Sequence, residues 1–294
     1  MKPSRSEFVP VRGLRYHVRR WGPAEGRRLI MLHGWMDVSA TFQFLADALS
    51  DAWHVVAPDW RGFGQSTWTG GPYWFPDYVA DLDVLLDHYS PDAPAHLVGA
   101  SMGGNVACLY AGLRPERVAS ITTLEGFGLA SADPEESPDR LAKWLDQLQK
   151  PVEPKVYRDF ETLAERLCHK DPLLRPTRAH VLARQLGRQR EDGSVELAAD
   201  PYHRLVNPVL YRLEEVKACW RRIAAPVLWV VARESPLLRR FVAHDDDYRD
   251  RLACFRNLRE IVLDAAGHNL QQHQPERLAA LIEEFLADGG RGTV

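Results

Sequence analysis

Along residues 1–125, short and nearly uninterrupted apolar runs alternate with stretches of helical period. Leu14–Trp21, Arg28–Leu32, His54–Ala57, Ala95–Val98 and Val118–Leu124 read as strands. Between them, Thr41–Leu49 sets Phe42, Leu45 and Leu49 on one side, and Asp77–Tyr89 sets Tyr78, Leu82, Leu85 and Leu86 at the same spacing. Gly103–Leu113 reads as a further helix. Strands apolar on both faces, alternating with helices, predict a mostly parallel sheet covered on each side, an α/β architecture. At Gly126 the rhythm stops. As far as Arg222 there is almost no strand signal, and four helical stretches follow: Pro138–Gln149, Val156–His169, Thr177–Arg190 and Leu210–Trp220. Strand Pro226–Val231, strand Leu258–Leu263 and helix Pro275–Leu286 then restore the alternation. The expected organisation is a core from 1–125 and 223–294, interrupted by a helical insertion, 126–222, that forms a lid over the strand ends.

Composition narrows the function classes. The chain has 294 residues, with 37 basic and 40 acidic side chains and a net charge of -3. No basic patch favours nucleic acid, and no apolar run approaches the roughly 18 residues of a membrane span. The first residues, Met1 to Gly13, lack the apolar segment of a secretory signal, so a cytoplasmic location is expected. Cys108, Cys168, Cys219 and Cys254 form no CxxC pair and no zinc-ligand spacing, and read as buried thiols. The bias of 31 Arg to 6 Lys fits a GC-rich bacterial source. The expectation is a small-molecule substrate, with no cofactor and no metal; oligomeric state is left open.

One pentapeptide carries chemistry. Gly99-Ala100-Ser101-Met102-Gly103 follows a strand and opens a helix, the context in which G-x-S-x-G bends sharply and presents a nucleophilic serine. Acyl transfer needs two donors for the oxyanion. The backbone N–H of Met102 is one candidate. The other is that of Trp35, in His33-Gly34-Trp35 after an earlier strand, with its indole facing the pocket. His33 itself reads as a brace for that loop. His268 follows the last strand and is the candidate general base, whereas His273 reads as a surface or rim residue. Two carboxylates end strands and suit the orienting acid, Glu125 and Glu234. Asp245 to Asp247 form a run that reads as solvated.

Together these motifs resemble the α/β-hydrolase superfamily. Asp59-Trp60-Arg61-Gly62-Phe63-Gly64-Gln65-Ser66 is similar to its D-x-R-G-x-G-x-S loop, and Leu32-His33-Gly34-Trp35-Met36-Asp37 resembles the serine hydrolase-like proteins and their bacterial relatives. The resemblance implies a Ser-His-acid triad. The superfamily's usual acid position reads Ala232-Arg233-Glu234-Ser235, with serine where aspartate is expected. Some relatives carry the acid one strand earlier, which matches Glu125; Glu125 is therefore the preferred acid and Glu234 the alternative. Ala100 stands where many relatives have histidine. Relatives that are dehalogenases or epoxide hydrolases use an aspartate nucleophile, whereas Ser101 suits attack on an acyl carbon.

The implied activity is hydrolysis of an ester or related acyl compound. A carbon–carbon bond hydrolase, or a ligand sensor on the same fold, is the alternative. Trp35, Trp60, Trp68, Trp74 and Trp144 predict an apolar, aromatic-lined pocket. In the insertion, Asp200, His203, Asn207 and Arg212 form a polar cluster that either meets a polar substrate group or braces the lid. Trp60, Trp144, His203 and Asn207 are the candidate substrate contacts.

Overall fold

The computed structural model describes residues 1–242 and 244–289. Its first part runs β1 (Arg5–Val11), β2 (Leu14–Trp21), β3 (Arg27–Leu32), α1 (Gln43–Ala48), β4 (Trp53–Pro58), α2 (Phe75–Tyr89), β5 (Ala95–Ala100), α3 (Met102–Leu113) and β6 (Val118–Leu124). The inserted segment carries α4 (Ser137–Leu148), β7 (Val156–Tyr157), α5 (Phe160–Lys170), α6 (Pro176–Leu186), β8 (Gly187–Gln189), β9 (Val195–Leu197) and α7 (Leu213–Trp220). The chain closes with β10 (Val227–Ala232), α8 (Pro236–Phe241), α9 (Asp245–Leu252), β11 (Leu258–Leu263), α10 (Leu270–His273) and α11 (Pro275–Ala287). No helix among the described residues is long and apolar enough to cross a membrane.

The eight-stranded sheet has the order β1-β2-β4-β3-β5-β6-β10-β11. β1 pairs antiparallel with β2, and β2 with β4; every later pairing is parallel. Both faces are covered. On one side β-strand residues such as Ile30, Val56 and Leu97 pack with Leu82 and Leu86 of α2 and with Val106 of α3. On the other, Leu29, Met31 and Val98 pack with Leu45 of α1 and with Leu278, Ile282 and Phe285 of α11. The sheet order reverses between β3 and β5, so their carboxyl ends flank a crevice, the usual ligand position in such sheets.

Two departures from the hydrophobic reading have local causes. β1 has only a weak run, with Val9 and Val11 buried at alternate positions. It pairs because Arg12 (φ 47°) and Gly13 (φ 81°) make a two-residue hairpin, closing Val11 onto Leu14. The insertion is likewise not purely helical. β7, β9 and β8 form a small sheet, β8 and β9 joined across Glu191-Asp192-Gly193-Ser194. Gly193 (φ 84°) and the Asp192 carboxylate, which accepts from the Ser194 N–H at 3.0 Å, set that turn. The Asp-Gly pair was the available signal. Leu163, Leu174, Leu182 and Val195 give the insertion its own apolar cluster.

The crevice depends on missing Cβ atoms. A Cβ on Gly103 would stand 2.0 Å from the Leu32 carbonyl oxygen, and one on Gly99 would stand 2.5 Å from the Gly103–Gly104 backbone. Gly103→Ala therefore forces α3 away from β3. It is expected to cost about 3 kcal/mol or more, at the top of the range for overpacking. Urea denaturation checks this; an unchanged midpoint would show that the approach is looser.

Candidate active site

Four loops at the carboxyl ends of the strands build the site. After β5, Ser101 adopts φ 51° and ψ -115°, a conformation costly for a residue with a side chain. Its N–H donates to the Leu124 carbonyl at 2.7 Å, and its own carbonyl accepts from Asn105 at 3.1 Å. Met102 is the first residue of α3, so its N–H lies in the turn that intrahelical acceptors do not reach. After β3, a Cβ on Gly34 would stand 3.2 Å from that of Ser101, so the loop bearing Trp35 passes directly beside the serine.

His33 holds that loop as a neutral ring. Its Nε2 accepts from the Trp60 N–H at 2.9 Å, and its Nδ1–H donates to the Gly34 carbonyl at 2.8 Å. Burial pushes its pKa down to about 4, which keeps the acceptor nitrogen bare. The next turn is set by Asp37, whose carboxylate accepts from the Val38 N–H at 2.9 Å and from the Thr41 hydroxyl at 3.0 Å. Burial pushes the Asp37 carboxyl up to about 7, more than those bonds pull it down. Met36, between Trp35 and Asp37, is also left-handed at φ 58°.

After β6, Glu125 is left-handed too, at φ 58°. One oxygen, Oε1, accepts from the Ala232 N–H at 2.7 Å, at the end of the neighbouring strand β10. The other, Oε2, lies 3.2 Å from His268 Nδ1. The carboxylate is fully buried, while the His268 ring is partly exposed. Beyond Glu125, the buried Arg251 guanidinium donates to the carbonyls of Phe127 at 2.8 Å and Leu129 at 3.1 Å, which anchors the chain where it leaves the sheet. Glu234 is exposed at the cavity rim and makes no hydrogen bond or ion pair with His268 among the described residues. Ser235, in the superfamily's usual acid position, instead caps α8 by accepting from the Leu238 N–H.

Ser101, His268, Gly34 and Trp35 line one cavity of about 440 Å³. Its far wall is leucine and proline from the insertion: Leu167, Pro172, Leu173, Leu174, Leu182 and Leu186. Lys170, Asp171, Asn269 and Gln271 add a polar edge. Aromatic residues gather instead in a second cavity of about 150 Å³, where Trp35 and Met102 meet Tyr73, Phe75, Tyr78 and Trp144. Trp35, 54% exposed, borders both.

The candidate substrate contacts therefore divide. Trp144, His203 and Asn207 line the second cavity. Trp60 lines neither of these two cavities: it has no exposed surface, and its indole N–H donates to the His33 carbonyl at 3.0 Å, so it is a brace beneath the loop. Trp68 packs under Arg188, and Trp74 borders an outer groove. The insertion's polar cluster is largely bracing. Asp200 accepts from the Tyr73 hydroxyl at 2.7 Å and the Gly70 N–H at 3.0 Å, His203 is stacked between Phe63 and Tyr73, and Asn207 caps the Val209 N–H. Arg212 is exposed beside Glu215. His273 also departs from expectation: its side chain is 2% exposed and joins the His268 loop to the insertion. Among the described residues, no group of three or more His, Cys, Asp or Glu side chains is arranged to hold a metal ion.

A family profile described as the alpha/beta hydrolase fold matches residues 27–273. The chain belongs to the α/β hydrolase family. This α/β hydrolase is 30% identical to a serine hydrolase-like protein of Danio rerio, over 97% of its own length and 90% of the relative's. It is 36% identical over 109 residues to a lipase, LipV, of Mycobacterium tuberculosis, which covers 37% of this chain and 41% of the lipase. Among solved structures, the thioesterase domain from the curacin biosynthetic pathway matches with a TM-score of 0.83 at 23% identity, covering 96% of this chain and 99% of that one. At that identity the likeness speaks for the fold.

In this α/β hydrolase the D-x-R-G-x-G-x-S loop has a physical explanation. Asp59 accepts from His17 Nδ1 at 2.7 Å, the Ser39 N–H at 2.7 Å and the Gln65 N–H at 3.0 Å, while Arg61 forks onto Asp81 at 2.5 and 2.6 Å. Gly64 (φ 55°) has no room for a Cβ, which would stand 2.1 Å from Asp59 Oδ2. Although burial works against it, those donors hold the Asp59 carboxyl down to about 2. A depressed carboxyl pKa stabilises the fold above the unfolded value near 4, and the gain is lost as pH falls through 2. Asp59→Asn is thus expected to lower stability at pH 7 and to flatten its decline between pH 4 and 2. Thermal melts across that range check it; parallel curves for both proteins would count against the assignment.

Proposed function

We propose that this α/β hydrolase is a serine hydrolase that cleaves an ester or related acyl compound of largely apolar character. The observation that carries the reading is the Glu125 Oε2 to His268 Nδ1 approach of 3.2 Å, at a cavity that Ser101 also lines. In this reading Ser101 Oγ attacks the substrate carbonyl carbon while His268 Nε2 takes its proton. Glu125 keeps the second ring proton on Nδ1 and offsets the positive charge of the imidazolium. Ala232 holds the other carboxylate oxygen, so the acid stays oriented. The backbone N–H groups of Trp35 and Met102 receive the oxyanion. His268 then returns the proton to the leaving alcohol, and an acyl-serine remains. Water, deprotonated by His268, attacks that ester and releases the acid. No cofactor enters the scheme.

The insertion, 126–222, is the cap in this proposal, and its leucine wall faces an acyl or alkyl chain. A cavity near 150 Å³ accommodates a group about the size of benzene, so the smaller compartment beyond Trp35 suits the shorter half of the substrate. The relative named as a lipase, similar over 37% of this chain, supports acyl chemistry.

Ser101→Ala is expected to abolish both fluorophosphonate labelling and p-nitrophenyl ester turnover. Retained labelling would refute the nucleophile. Glu125→Gln should lower kcat about 10⁴-fold, as loss of an orienting carboxylate does in the best-studied triad. Glu234→Gln should leave kcat within about threefold, since its side chain stands in solvent. Steady-state kinetics on the two variants decide the matter, and collapse of the Glu234 variant alone would overturn the choice.

A further inference from the structure

His268 lies on a loop that is tied both to its own neighbours in the chain and to the segment between β6 and β10. At its end the Asn269 carbonyl accepts from the N–H groups of Gln272 at 2.9 Å and His273 at 3.1 Å. Residues 264–269 have no regular structure, and Ala265 is left-handed at φ 52°. The start of the loop is pinned locally, by Gln274 Nε2 donating to the carbonyls of Asp264 at 2.6 Å and Ala265 at 2.9 Å. Its end is also pinned from the cap. Asp171, just past α5, accepts on Oδ2 from Asn269 Nδ2 at 2.9 Å and from His273 Nε2 at 3.0 Å. The Gly267 N–H donates to His273 Nδ1 at 3.1 Å.

Those contacts define the state of the His273 ring. A backbone amide only donates, so Nδ1 is bare and Nε2 carries the proton that Asp171 accepts. One carboxylate oxygen therefore reaches the residue before His268 through His273 and the residue after it through Asn269. Arg178 on α6 reinforces the contact by donating to the carbonyls of Gln272 at 2.5 Å and His273 at 3.1 Å. Burial raises the Asp171 carboxyl pKa, but the bonds from His273 and Asn269 outweigh it and hold the group below its ordinary value. It is therefore an anion when it receives them.

We propose that Asp171 and His273 are a positioning pair through which the seated cap fixes the His268 loop. The proposal rests on the reading of His268 as general base. Without Asp171, the His273 proton is free to move to Nδ1, and that tautomer has nothing to offer the Gly267 N–H. The loop then loses the ties at Gly267 and the Asn269 side chain, while α10 still holds the Asn269 carbonyl and Glu125 still holds the ring. A cap lifted for substrate entry leaves the base loosely held, and a closed cap restores it. Cap closure is thereby coupled to the chemical step as well as to binding.

The test uses the full chain and three readouts: amide hydrogen exchange at Gly267, the ¹⁵N signature of the His273 tautomer, and kcat and KM on a p-nitrophenyl ester. In Asp171→Ala, Gly267 exchange should rise about tenfold or more, the scale of one lost hydrogen bond. His273 should lose its single Nε2–H form, and kcat should fall about tenfold with KM changed less than threefold. Asp171→Asn keeps a carbonyl acceptor and should recover most of each loss. His273→Phe retains the ring volume and should repeat the exchange and kcat effects if the alanine variant does not fold. Unchanged exchange and tautomer in Asp171→Ala would overturn the proposal, as would a raised KM with intact kcat. A wild-type chain that fluorophosphonate does not label at Ser101 would instead sink the hydrolase reading, with Gly267 exchange and the tautomer still judging the pair.

Discussion

The close approach of two backbones, at the carboxyl ends of β3 and β5, is the constraint on which the site depends. Gly103 lies against the Leu32 carbonyl, and Gly34 lies against Ser101. The first leaves no space for a Cβ, and the second leaves a tight 3.2 Å. The tight turn places Ser101 at positive φ, and the loops after the flanking strands β3 and β6 carry two more such residues, Met36 and Glu125. Each such residue costs of the order of 1–3 kcal/mol. They persist because the strands beneath them are central, paired on both sides and buried on both faces. A rigid sheet thus holds strain in the loops where the proposed chemistry takes place.

Polar groups beneath those loops do work that the core cannot. Asp59 gathers donors from three segments, Asp81 takes the fork of Arg61, and Arg251 collects carbonyls from the chain beyond Glu125. A buried charge left unpaired is strongly destabilising, so these groups hold their neighbours to one arrangement. Trp60 and His33 belong to the same layer. They are near the site without facing the cavity, and this explains why a motif around a candidate oxyanion loop includes residues with no chemical part of their own. His273 extends the principle to the inserted segment, where Asp171 meets it.

Much of this was legible along the chain. The strand and helix rhythm foretold the parallel sheet, because both periods come from local backbone geometry. The elbow was legible for the same reason: its glycines lie within two residues of the serine they serve. The pocket lining was not. Tryptophan content pointed to an aromatic cavity beside Ser101, yet leucines of α5 and α6 form that wall and the aromatics cluster beyond Trp35. Residue type measures apolar area, and Trp60 spends all of its area inside the loop layer. The small sheet in the insertion was also hidden, since two- and three-residue strands are too short to show a period.

The sequence by itself determined the fold class and the presence of a serine on a strand-to-helix turn, because neighbours in the chain impose both. It left two carboxylates at the ends of two strands as partners for His268. β6 and β10 are adjacent in the sheet, with Leu124 paired to Val230, so Glu125 leaves its strand directly while Glu234 lies further along the next loop. The resemblance preferred Glu125, and the tertiary structure supplied the physical difference between them. The left-handed turn at Glu125 and the Ala232 N–H direct that carboxylate inward to His268 Nδ1, while Glu234 has turned out into solvent. The difference lies in hydrogen bonds between strands more than 100 residues apart, which no local pattern encodes.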